Sequence, residues 1–186
     1  MLFDYKLVDI VREETKGAFP EGSEFPDIKY LEEKCLNLNA IWHETIRLSA
    51  YSSSVRYIIK DTKIGGKLLR KGHRVMLPNR QLHFDKKVFG DDVYEFRHTR
   101  FIDDESLVRT ASWRPFGGGI TLCPGRFIAK QAVISFIAMT LQRFNIEAVG
   151  EKKFPRMEDG SPVLGIMSRY SDDDVSVRLT PRKTNA

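Results

Sequence analysis

Residues 116–126 read FGGGITLCPGR, and this run restricts the chain more tightly than any other stretch. Three consecutive glycines, Gly117, Gly118 and Gly119, open backbone conformations closed to other residues and let a flat group approach the main chain. Cys123 follows them and directly precedes a helical pattern. Pro124 suits the first turn of that helix, where its missing N–H would lack a partner anyway. A helix start aims backbone N–H groups and partial positive charge at the cysteine. That favours the thiolate, the form that binds metal. The plain alternative is a buried free cysteine behind a flexible turn.

With 186 residues, 41% of them hydrophobic and 11% aromatic, the chain suffices for one cored domain or for part of a larger one. That composition excludes disorder. Two cysteines, Cys35 and Cys123, build no disulfide framework and read as reduced thiols of an intracellular protein. Cys35 lies in a helical stretch and reads as a core residue. The net charge of +5 comes from cations mixed with anions, which does not indicate nucleic acid. An acidic protein partner fits it as well. The start MLFDYKLVDIVREE carries acids among its apolar residues and no cleavage site, so no signal peptide is read. The longest apolar stretch, 132–141, is too short for a membrane span.

Apolar spacing predicts an amphipathic helix over 1–15 and, after a Gly/Pro/Ser loop at 17–26, one helix over 27–48 capped by Asp27. The period then changes. Strands are expected at 55–59, near 64–69 and at 75–77, the last ended by Pro78. Residues 79–109 are irregular, and so long a connection must wrap a site or pack on its own. A helix over 125–144, apolar nearly all round at 132–139, is expected at the centre of a core, with Arg126 and Lys130 kept for the surface. Short strands are expected near 144–149, 163–166 and 175–179, with a turn at Asp159-Gly160 and a frayed tail from 181.

The spacing of Phe116, Gly119, Cys123 and Gly125 resembles the haem-binding signature of the cytochrome P-450 monooxygenases. Upstream, Glu44 and Arg47 stand three apart, where they share a helix face and can pair. Between this pair and the cysteine lies Phe96-Arg97-His98-Thr99-Arg100-Phe101. The order is similar to that family's Glu-x-x-Arg helix, its Phe-x-Pro-x-Arg-Phe segment and its cysteine loop, although His98 and Thr99 replace Pro and Glu. The resemblance implies a mainly α fold with small β-sheets (α+β). Residues 1–186 would form the C-terminal portion of a single domain, with an irregular wrapping segment and a cysteine loop leading into a long buried helix.

It further implies that Cys123 is the axial ligand to the iron of haem b, with Phe116, Gly117, Gly119 and Gly125 shaping the loop. Glu44, Arg47 and Arg100 would form a buried triad that locks the irregular stretch behind the haem. Arg56 matches a propionate-binding arginine, and Arg114 is a second candidate. Thr121 stands where the family has Arg or His, so a hydroxyl would replace one salt contact. Tyr51, Ser52, Ser53, Ser54 and Val55 match a turn that touches substrate, and Leu164-Gly165-Ile166-Met167 matches the second such turn, with Ile166 as its candidate contact. Core packing explains both turns equally well. His83 fits the wrapping segment as a structural residue.

The implied reaction is insertion of one atom of dioxygen into a hydrophobic substrate. Electrons would come from NADPH through a P-450 reductase or a similar donor, docked on a basic face that includes Arg126, Lys130 and Arg143. The Cys-Pro-Gly-Arg ending resembles the branch with sterol hydroxylases and prostacyclin-synthase-like enzymes. Relatives are often anchored in the endoplasmic reticulum, and no anchor is read here. No Ala-Gly-x-x-Thr-like segment for oxygen activation is found, so no catalytic acid-threonine pair is assigned and a truncated, unaided chain is expected to be inactive. The rival reading is a non-catalytic remnant that binds haem weakly or acts through protein contacts. A phosphate-binding loop fits poorly, because no Gly-Lys-Ser/Thr follows the glycines.

Overall fold

The structure, a computed structural model, describes residues 2–150, 154–158 and 165–182. It is α+β, with a helical centre and small two-stranded sheets at the edges. Helix α1, Tyr5–Lys16, starts where the Asp4 carboxylate accepts the Leu7 N–H at 3.1 Å, and it buries Leu7, Val8, Val11 and Thr15. Helix α2, Ile28–Lys34, starts at Asp27, whose carboxylate accepts from the N–H groups of Lys29 and Tyr30. Helix α3, Leu36–Ser49, follows after one non-helical residue, Cys35 (φ −95°, ψ 78°).

That break corrects the single helix expected over 27–48. Side chains satisfy both ends it exposes. The Glu14 carboxylate of α1 accepts from Asn37 N–H at 2.9 Å and Leu38 N–H at 3.2 Å, capping α3 from outside. Asn39 Nδ2 donates to the carbonyls of Leu31, Glu32 and Cys35, which closes α2. The Cys35 thiol is buried and donates to Glu14 O, and burial pushes its pKa up to about 11. It is a core residue in this fold, not a ligand.

Strand β1, Ser53–Tyr57, pairs antiparallel with β4, Arg74–Pro78, from Ser53 opposite Pro78 to Tyr57 opposite Arg74. Between them, β2 (Thr62–Ile64) and β3 (Lys67–Leu69) form a hairpin. Gly65 and Gly66 both adopt positive φ there (55° and 78°), as a tight hairpin turn demands. The stretch expected to be irregular folds as short turns: α4 (Asn79–His83), α5 (Lys86–Phe89), α6 (Arg100–Asp103) and a 3₁₀ turn (Glu105–Arg109). Phe89, Val93, Phe101 and Leu107 give this region a small core of its own against Ala40 of α3.

Helix α7, Arg126–Arg143, begins two residues after Pro124, with Gly125 as its N-cap and no side-chain cap. It docks on α1 through Ile134, Ala138 and Leu141, all fully buried. Arg12 Nε donates to Leu141 O, and Gln142 Nε2 donates back to Arg12 O. The expected all-round burial is corrected: Phe127, Ile128 and Phe136 are 60%, 71% and 66% exposed, so one stripe alone is buried. Lys130, expected at the surface, is half-buried, and desolvation lowers its pKa.

Strand β5, Phe144–Ala148, pairs antiparallel with β6, Val177–Pro181. Pro181, expected to fray, is the last residue of β6. The expected strand near 163–166 is represented only by its end. Ile166 bridges Ala50, and Met167 N–H donates to Ser49 O at 2.8 Å. Val163, Leu164 and the Asp159-Gly160 turn lie outside the described residues.

Candidate functional site

The glycine loop is closed by its own backbone. Cys123 N–H donates to Phe116 O at 3.1 Å, and Gly117 N–H donates to Arg114 O at 3.2 Å. Gly117 and Gly119 sit at φ 83° and 82°, where a Cβ would strain the chain. The Phe116 ring stacks on Trp42 of α3, with centroids 6.4 Å apart. At the other end, the Cys123 carbonyl accepts from Arg126 N–H and from Arg126 Nη1 at 2.9 Å. Cys123 is thus pinned on both sides, and its side chain stays exposed. Gly125 (φ −73°) has an ordinary helical conformation, and a Cβ on it would touch Cys123 Sγ at a normal 3.7 Å.

A cavity of about 300 Å³ has Cys123 in its lining. Its lining joins Cys123, Phe116 and Gly117 to Ser52, Ser53 and Ser54 from the end of α3 into β1, and to Ile166. These residues are far apart in sequence and share one wall. The 165–167 segment gets there through Tyr51 N–H, which donates to Gly165 O at 2.7 Å. Asn79 also lines the cavity, and its Nδ2 donates to the hydroxyls of both Ser52 and Ser54 at 3.2 Å. No motif pointed to Asn79. Its role comes from the register that places Pro78 opposite Ser53.

Other candidates fall outside this wall. Tyr51 lines a neighbouring cavity of about 430 Å³, beneath the Arg80 guanidinium. Val55, Gly119 and Thr121 do not line the Cys123 cavity, and Val55 and Thr121 are exposed. Arg56 and Arg114 both converge on Gly118. Arg56 Nη2 donates to Gly118 O at 2.9 Å, and a Cβ placed on Gly118 would sit 1.6 Å from Arg114 Nη1. Gly118 is therefore the glycine that gives Arg114 its place. Arg126 covers the Phe127 ring at 4.1 Å, and Arg143 Nη2 donates to Glu24 O.

Behind the loop, Glu44, Arg47 and Arg100 form a fully buried ion triad, joined at its edge by the Asp92 carboxylate, which is 32% exposed. Arg47 grips Glu44 with two bonds, Nε to Oε2 at 2.8 Å and Nη2 to Oε1 at 2.9 Å. Arg100 Nε adds bonds to both oxygens, at 3.1 and 3.3 Å. The other guanidinium N–H groups go to main-chain carbonyls of the short-turn region. Arg47 donates to His83 O and Val93 O, and Arg100 donates to Phe89 O and Asp92 O. Asp92 is a further member that the motifs missed: Arg100 Nη1 donates to its Oδ1 at 2.9 Å. That bond holds the Asp92 carboxyl below its usual range. Two cations face two anions, so the cluster is neutral as well as hydrogen-bonded.

The donor set suits a macrocycle rather than a bare ion. Among the described residues no group of three or more His, Cys, Asp or Glu could hold a metal ion. A single exposed thiolate suffices only for iron that brings its own ring of ligands. The approach to Cys123 carries exposed apolar side chains, Ile120 and Leu122, with the guanidiniums of Arg56 and Arg114 at Gly118. That combination fits a flat apolar ring with anionic edges. No helix among the described residues is long and apolar enough to cross a membrane.

The family model described as Cytochrome P-450 matches residues 6–173. The chain is 35% identical over 153 residues to the cytochrome P-450 monooxygenase poxD of Penicillium oxalicum, covering 77% of this chain and 31% of that protein. It is 28% identical over 169 residues to cytochrome P-450 7A1 of Rattus norvegicus and to the cholesterol 7-alpha-monooxygenase of Cricetulus griseus, covering in both cases 81% of this chain and 33% of the relative. It thus spans about a third of the length of the curated relatives it matches. With a match from residue 6 to residue 173, the chain belongs to the cytochrome P-450 family.

Proposed function

We propose that this chain supplies the thiolate side of a haem monooxygenase that inserts one atom of dioxygen into a hydrophobic substrate. The observation that carries the reading is the meeting of Cys123, the positive-φ Gly117 and the 52–54 and 166 segments around one cavity. Bound haem b would supply the oxygen chemistry, with electrons from NADPH through a reductase partner. Cys123 would hold the iron, and the loop glycines, lacking side chains, would let the backbone approach the bound group. Arg56 and Arg114 would hold the propionates through charge-assisted bonds, each of ~1.5–3 kcal/mol. Ser52, Ser53, Ser54 and Ile166 would border the substrate.

The Glu44–Arg47–Arg100 cluster acts at one remove by fixing the region on which the loop rests. A substrate of sterol-like character is supported by the named activity of the Cricetulus griseus relative. The reading is tested by titrating the chain with haem and following the Soret band. Wild type and Cys35→Ala should saturate alike, whereas Cys123→Ala should bind at least about tenfold more weakly, the loss of one metal–ligand bond. Equal titrations for all three would overturn it.

A further inference from the structure

His83, read from the sequence only as a structural residue of the wrapping segment, touches both halves of the site. It ends α4 and is fully buried. Its carbonyl accepts from Arg47 Nη1 of the ion cluster at 2.9 Å. Its ring Nε2 accepts the backbone N–H of Arg114 at 2.9 Å, two residues before Phe116 opens the glycine loop. Arg114 in turn bonds Gly117 through its carbonyl and lies against Gly118 through its guanidinium. A bonded path therefore runs from Glu44 through Arg47, His83 and Arg114 into the loop that presents Cys123.

The ring's other nitrogen makes the path specific. A backbone N–H can only donate, so Nε2 must be the bare nitrogen and Nδ1 must carry the proton. Nδ1 is buried without a hydrogen bond of ordinary geometry, while a weaker contact with the Arg47 backbone favours a proton on that side of the ring. A charged ring would set N–H against N–H at Arg114. It would also place another cation beside Arg47 of α3 and Arg80 of α4, the charged side chains that face it.

We propose that His83 is a positioning residue that ties the buried ion cluster to the cysteine loop and works only as the neutral Nδ1–H tautomer. Burial supports this, since desolvation lowers its pKa from 6.5 to about 4. The tether stands on protein contacts alone. Only its effect on haem rests on the reading of Cys123 given above.

The test starts with the wild-type chain. A long-range proton–nitrogen spectrum at pH 7 should show His83 protonated at Nδ1 and bare at Nε2. The opposite tautomer, or a doubly protonated ring, overturns the proposal without any variant. Amide exchange at Arg114 then compares His83→Phe, which removes the acceptor, with His83→Gln, which keeps one. Protection should fall about tenfold in the first and within about threefold of wild type in the second. Haem affinity should follow the same order. Unchanged protection in a folded His83→Phe chain sinks the tether even if haem binding still needs Cys123. Haem binding that ignores Cys123→Ala sinks the ligand reading and leaves the tether standing. Should His83→Phe fail to fold, the tautomer decides, together with His83→Gln, whose Arg114 protection should no longer fall between pH 6.5 and 4.

Discussion

Glu44 accepts from both guanidiniums and from Arg97 N–H, so it is the one carboxylate that joins the two buried arginines. Replacing it by Gln would leave two buried arginines short of charge. The expected cost is about 3–5 kcal/mol, read as a lowered denaturant midpoint. A loss under ~1 kcal/mol would show that the cluster is not buried as described. A second residue-scale effect concerns acid. His43, packed edge-on against Phe101 and Trp113, and His83 both have pKa values lowered by burial from 6.5 to about 4. The unfolded chain therefore takes up protons first as pH falls. Their contribution to stability is complete above pH 6.5 and drains away between 6.5 and 4. Replacing both by Gln should flatten melting temperature over that window, and an unchanged slope would contradict the assignment. At this scale the Glu44/Arg47 pair is legible only in context, since its spacing alone fits a solvated surface pair equally well. His83 is legible as a structural residue but its partners are not, and Asp92 is not legible at all, because their bonds run through carbonyls, a backbone N–H and a distant guanidinium, which no residue spacing encodes.

Among the elements, the break at Cys35 shows where periodicity runs out. Apolar residues continue across it at Leu31, Leu36, Leu38 and Ile41, so the pattern reads as one helix. What divides it is a carboxylate from another helix, Glu14, placed by tertiary packing. Glu14→Ala should cost about 1–3 kcal/mol by leaving the Asn37 and Leu38 N–H groups of α3 unmatched, measured by thermal melting. A neutral effect would mean that water caps α3 equally well. Strands fared better. The change of period after Ala50 marks β1, β3 and β4 to within a few residues, because Gly65-Gly66 and Pro78 bound them locally, but β2, the first arm of the Gly65-Gly66 hairpin, is not expected from it. Pro124 misled by two positions, since Gly125 takes the N-cap and the helix starts at Arg126.

For the whole molecule, the cysteine loop and its family were legible in eleven residues, while the shape of the cavity was not. That shape depends on 165–167 lying along the end of α3 and on Asn79 bridging two serines, both products of packing at long range. The outer face of α7 with Phe127, Ile128 and Phe136, and the open sulfur of Cys123, leave much apolar surface near the site in contact with solvent. The chain corresponds to about a third of the length of the curated relatives it matches. The most direct measurement is the carbon monoxide difference spectrum of the reduced, haem-loaded chain. Thiolate ligation predicts the family's red-shifted band in wild type and in Cys35→Ala, and its loss in Cys123→Ala. A wild-type spectrum without that band, or the band persisting without the Cys123 sulfur, would contradict the account.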